Sequence, residues 1–141
     1  MLRYCLLFVC LMATIQPIYA QTGDQLKWTW MKGGKYATSV PHYGIRGVEA
    51  PDNQPPARFG AATWIDTSGH LWLFGGSRLN GLNYNDLWTF NPDNNRWTWI
   101  AGDSIPNQYG EYGTLGQPAI TNNPRARDQM MAWISRDNQL W

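Results

Sequence analysis

Cysteine is nearly absent from this chain: Cys5 and Cys10 are the only two, and both lie in the first ten residues. If that segment is removed, no thiol remains for a disulfide, a thiolate metal ligand or a nucleophile. Histidine is limited to His42 and His70, too few for the clustered imidazoles of a typical metal site, so no metal and no cofactor are expected. No asparagine is followed two positions later by Ser or Thr, which excludes N-glycosylation sequons. No segment of helical length shows a 3.6-residue apolar period. Glycine-rich phosphate loops are missing too, since Gly75-Gly76 ends an apolar run and opens no helix. A run of apolar residues long enough to cross a bilayer, about 20, is also absent. The formal charge is +1 over 141 residues, and removal of Arg3 brings it to zero. Electrostatics therefore supplies no attraction to nucleic acid or to a membrane surface.

The first twenty residues fit a secretory signal. Arg3 provides the positive start, Tyr4 to Ala13 the short apolar run, and Ile18-Tyr19-Ala20 a cleavage site, so residues 1–20 are expected to be removed and the mature chain, residues 21–141, to begin near Gln21. Localisation is then secreted, periplasmic or cell-surface, with no membrane span after cleavage.

What the chain has in abundance is tryptophan: nine Trp against four Phe, a bias that favours strands. Sliding the sequence against itself shows why. Trp28-Thr29-Trp30 recurs as Trp97-Thr98-Trp99, 69 positions on. At the same spacing Gly33 meets Gly102, Arg58 meets Arg127, Trp64-Ile65 meets Trp133-Ile134, and Leu71-Trp72 meets Leu140-Trp141. Between these anchors, Tyr43-Gly44 with Gly47 matches Tyr109-Gly110 with Gly113 at a spacing of 66. The two repeats are therefore expected to differ by small insertions in loops.

Within a repeat, strands are short and evenly punctuated. Residues 59–65 are small and apolar, and Asp66-Thr67-Ser68-Gly69 is a turn. Residues 70–74 run almost wholly apolar up to Gly75-Gly76. Residues 86–90 alternate, Pro92-Asp93-Asn94-Asn95 turns the chain, and 96–100 alternate again with Trp97 and Trp99 on one face. Four strands of this length make one antiparallel sheet. In such a meander the two tight turns lie at one end, while segments 77–84 and 102–126 lie at the other. Loops on a rigid scaffold are where binding residues collect, so the long-loop end is the expected functional end.

Leu73-Phe74-Gly75-Gly76, then Asn85-Asp86-Leu87-Trp88, then Trp97-Thr98-Trp99 resembles the kelch repeat in its galactose-oxidase-like form. The family continues with Tyr-Gly, a further Gly and Pro-Gly-x-Arg. Tyr109-Gly110, Gly113 and Gly116 fit, and the last element stands as Pro56-Ala57-Arg58 and Pro124-Arg125-Ala126-Arg127, its glycine replaced both times. The resemblance covers residues 26–141 and implies an all-β, kelch-type β-propeller fragment: about one complete four-stranded antiparallel blade plus partial neighbouring blades. Residues 26–31 would be the outer strand of a preceding blade, 58–101 the complete blade, 102–126 a long inter-blade loop and 127–141 the first half of the next. At about 69 residues per repeat a propeller of four to eight blades is longer than this chain, so further blades are expected to close the ring. Trp97 and Trp99 are expected to pack against a neighbouring blade.

Residues of the repeat framework are expected to have a structural task. The set is Trp28, Trp30, Arg58, Trp64, Trp72, Gly75, Gly76, Trp88, Trp97, Trp99, Arg127, Trp133 and Trp141, with Arg58 and Arg127 expected to bond loop carbonyls or an adjacent blade. Residues unique to one repeat are the ligand-binding candidates. Arg78, Asn80, Asn83 and Tyr84 follow the double glycine, and Glu111 with Tyr112 lies in the long connection. Aromatic, amide and charged groups together suit a polar ligand such as a sugar. His42, set opposite Gln108 by the 66-residue spacing, and His70, opposite Gln139, have no metal-binding context. No catalytic constellation appears: Asp66, Asp86 and Asp93 are all placed at turns or strand borders, not as converging acids. The expected function is a non-catalytic extracytoplasmic segment that binds a protein or a carbohydrate. Two alternatives stand: a piece of a galactose-oxidase-like enzyme whose active site lies elsewhere, or a truncated product without independent activity.

Overall fold

The computed structural model describes residues 29–36, 40–137 and 139. The chain divides into two compact units, Met1–Trp30 and Met31–Trp141. The expected signal segment, Trp28 and Trp141 lie outside the described residues, and of the first unit only Thr29 and Trp30 are described, without strand structure.

The second unit is all-β, built on one four-stranded antiparallel sheet, with no helix among the described residues. Its strands are β1 (Ala62–Ile65), β2 (Leu71–Phe74), β3 (Leu87–Asn91) and β4 (Arg96–Ala101), hydrogen-bonded in sequence order. Short apolar runs interrupted by turn residues leave no other economical pairing than successive hairpins. At the first turn Asp66 does three jobs. Its amide donates to the His70 carbonyl at 3.0 Å, its Oδ1 accepts from the Ser68 and His70 amides, and its Oδ2 accepts from the Trp72 indole at 2.9 Å. At the second turn Asn91 Oδ1 accepts from the Asp93 amide, and Asn95 takes φ 59°, a left-handed conformation that asparagine tolerates.

The strands fall within a few residues of the expected runs. The first begins at Ala62, not at Phe59, because Gly60 turns the chain at φ 64° and Phe59 instead pairs alone with Ser77. Gly75 and Gly76 both have positive φ, and a Cβ on either would press on backbone: 2.7 Å from the Arg127 carbonyl oxygen and 2.9 Å from that of Phe59. Only glycine fits both the conformation and the approach. Of the expected outer strand at 26–31 and half-blade at 127–141, the described residues form no strand.

Register divides the sheet into two faces. Leu73 pairs with Trp88 and Trp88 with Trp99, while Phe90 pairs with Leu71 and Trp97, so these side chains share one face. Trp88 there is fully buried. Trp97 packs on Trp88 and Phe90, at 6.3 and 4.9 Å between ring centroids. Trp99 meets the Tyr43 ring edge-on at 5.1 Å. The two tryptophans expected to lean on a neighbouring blade are half-buried and pack on rings of their own unit. The segment before the sheet also covers the β4 edge, since the Gly47 amide donates to the Trp99 carbonyl at 2.7 Å and Ala50 bridges Trp97. That contact shields backbone groups that would otherwise invite another strand. The opposite face, with Ala62, Trp64, Phe74 and Leu87, looks onto an open hollow of about 410 Å³ walled by Arg127, Met130 and Met131.

Candidate functional site

Register places the Asp66–Gly69 and Pro92–Asn95 turns at one end of the sheet and segments 75–86 and 102–126 at the other. The candidate residues all belong to that second end. Its foundation is Asp86, fully buried, just before β3. Arg58, whose side chain is 5% exposed, grips it with two nitrogens: Nη1 to Oδ1 at 2.5 Å and Nη2 to Oδ2 at 2.7 Å. Oδ2 also accepts from the Tyr43 hydroxyl at 2.7 Å and from the Trp88 indole at 2.8 Å. A buried charge pair survives only when its remaining hydrogen-bonding capacity is largely met, and here Asp86 accepts four bonds and Arg58 donates four of its five N–H groups. Arg58 also donates to the carbonyls of Pro56 and Gly75 and lies 4.4 Å over the Tyr84 ring. The Tyr43 phenol is pushed far above its ordinary value, first by burial and then by the charge and hydrogen bond of Asp86. Arg58 therefore bonds loop carbonyls as expected, but its dominant partner is an aspartate that its position at a strand border left unremarked.

The second repeat reproduces this local frame at a single spacing. His42 and Gln54 exchange backbone hydrogen bonds, and so do Glu111 and Asn123. Asn53 Nδ2 donates to the Val48 carbonyl and Asn122 Nδ2 to that of Gln117. Arg58 Nε donates to the carbonyl two residues back, and Arg127 Nε does the same to Arg125. Ser135 and Gln139 pair as Asp66 and His70 do, and Gln129, at φ 53°, repeats the positive φ of Gly60. The glycines settle the register. The side-chain oxygen of Asn53 fills the place where Gly44 lacks a Cβ, and that of Asn122 lies 2.5 Å from where a Cβ on Gly113 would stand. Every one of these pairs is 69 apart, the separation of Trp64 from Trp133. The 66-residue match is thereby corrected: Tyr43-Gly44 corresponds to Tyr112-Gly113, His42 to Glu111, and no insertion separates the repeats.

The six candidate ligand residues do not converge. Tyr84 is 4% exposed, sandwiched beneath Arg58, and so belongs to the core; a loop position after a double glycine suggested exposure that the arginine removes. Asn83 is a loop staple, exchanging bonds with Asn107 at 2.8 and 2.7 Å and bridging Ser77. Arg78 and Asn80 share an open hollow of about 530 Å³ with Phe59, Ser77 and Leu79. Backbone bonds from Arg78 to Leu82 and from Gly81 to Arg78 fix that loop, and Arg78 makes no ion pair among the described residues. Glu111 lines a different hollow with Arg46, Asp103 and Tyr109. Tyr112, 62% exposed, holds its hydroxyl 3.4 Å from Arg127 Nη2, as befits the counterpart of Tyr43. Phe59 lies outside the strand expected over residues 59–65 and is 48% exposed; its counterpart Asp128 marks it as unique to one repeat.

Among the described residues no group of three or more His, Cys, Asp or Glu could hold a metal ion, and no helix is long and apolar enough to cross a membrane. No family model, curated protein or solved structure matches the chain.

Proposed function

We propose that this chain is a non-catalytic, extracytoplasmic segment of a kelch-like propeller that binds a carbohydrate at its long-loop end. The observation that carries the architecture is the hydrogen-bond pattern that recurs at 69 residues around a four-stranded meander. One four-stranded sheet per repeat and radial stacking go together in propellers. The resemblance of residues 1–20 to a secretory signal supports binding outside the cytoplasm.

The ligand reading rests on the hollow of Phe59, Arg78 and Asn80. An exposed phenyl ring offers a stacking platform for the apolar face of a sugar, and guanidinium and amide groups offer donors to its hydroxyls. The test is a glycan array probed with the full chain, followed by calorimetry on the best binder. Phe59→Ala and Arg78→Ala should each weaken binding at least about tenfold, equal to about 1.4 kcal/mol. Unchanged binding in the double variant would refute the site, and a protein ligand recovered at the same residues would replace the sugar.

A further inference from the structure

The pair Arg58 and Tyr43 is closed around Asp86; its counterpart, Arg127 and Tyr112, is assembled but open. Their two polar tips already converge at 3.4 Å, and Arg127 is steadied by the Arg125 carbonyl at 3.0 Å. The Gly113 and Asn122 lock sets the tyrosine loop as Gly44 and Asn53 set the first. Yet no carboxylate pairs with Arg127 among the described residues, and both side chains are exposed. The corresponding tyrosine, Tyr43, packs against Trp88 at 5.0 Å and edge-on to Trp99 at 5.1 Å.

We propose that Arg127 and Tyr112 form a carboxylate socket that receives the aspartate of an Asn-Asp-x-Trp strand borne on a further four-stranded unit of this repeat. The charge complement is fixed by the guanidinium fork, which takes both oxygens of one carboxylate. The tyrosine hydroxyl donates to the same group, as the indole two residues beyond the aspartate does in the first repeat. The incoming sheet offers its tryptophan face to the Tyr112 ring, and the Gly116 amide stands where Gly47 donates to β4. This inference rests on the repeat architecture proposed above and is independent of the Phe59 hollow.

The test extends the full chain after Trp141 with a second copy of residues 73–101, which preserves the repeat and sets the copied aspartate 28 positions beyond Arg127, as Asp86 stands beyond Arg58. The extended chain should melt higher than the unextended one. Arg127→Gln should lower its Tm by roughly 4–8 °C while scarcely moving that of the unextended chain. The copied Asp86→Asn should have a similar effect, and the two changes should not add. In the extended chain one further tyrosine, lost in Tyr112→Phe, should ionise only above the ordinary range. As a second route, a labelled peptide of residues 73–101 should bind the full chain in anisotropy at least about tenfold more tightly than the Arg127→Gln variant. A gain in Tm or peptide binding that ignores Arg127 overturns the socket alone. No gain and no binding overturns the repeat architecture with it.

Discussion

The indole nitrogen of Trp64 donates to the carbonyl oxygen of Trp133 at 2.9 Å, and these two residues occupy the same place in successive repeats. The contact sets the start of the second repeat against the sheet of the first, which is how a unit unable to bury its own faces gains a partner. The same spacing links the turn at Asp66 to that at Ser135 and the clasp of Arg58 to that of Arg127.

Asp86→Ala should destabilise the chain by about 3–5 kcal/mol, because it leaves the Arg58 guanidinium buried without its counter-charge. Urea unfolding followed by far-ultraviolet circular dichroism measures it. A change below about 1 kcal/mol would place Arg58 in water and contradict the buried clasp.

Asn53→Ala should cost more than Asn122→Ala. Asn53 Nδ2 serves two carbonyls, Val48 and Trp97, whereas Asn122 Nδ2 serves Gln117. Losing each such bond costs on the order of 1 kcal/mol. Equal losses in a side-by-side thermal unfolding comparison would remove the distinction between a loop docked on a sheet and one that is not.

The strands and turns were legible because each apolar run is closed by residues with a fixed turn chemistry, such as Asp66 and Gly69. Their ends were less so: the break at Gly60 is visible only once Phe59 is seen paired with Ser77. The repeat was legible through its tryptophans, but Tyr-Gly occurs twice within five residues, at 109–110 and 112–113, and composition alone cannot choose between them. The choice falls to Asn53 and Asn122, whose oxygens need a glycine opposite. The Asp86 clasp was hidden because its partners come from positions 43, 58 and 88, and Tyr84 was misread because nothing in its neighbours announces the arginine above it.

Acid should destabilise the first turn. The Trp72 indole, aided by the His70 and Ser68 amides, holds the Asp66 carboxyl below its ordinary value. A depressed folded value contributes stability that is complete above the unfolded value, near 4, and is lost as pH falls through the folded one. Asp66→Asn should therefore be less stable at neutral pH and show a flatter acid limb in Tm against pH; an unchanged limb would contradict the hydrogen bond.

Alkali should act through Tyr43, whose raised value means that its contribution is complete below about 10 and is lost as pH climbs beyond. Tyr43→Phe should flatten the alkaline limb of the same profile. An identical limb would place the phenol in solvent.

The account depends most on the two repeats sharing one gapless frame, and through-hydrogen-bond scalar couplings in an isotopically labelled sample test it most directly. The predicted result is reciprocal amide-to-carbonyl coupling between His42 and Gln54 and equally between Glu111 and Asn123. Coupling of Gln108 to Ile120, as a 66-residue spacing would require, or no coupling at Glu111 while that at His42 persists, would contradict it.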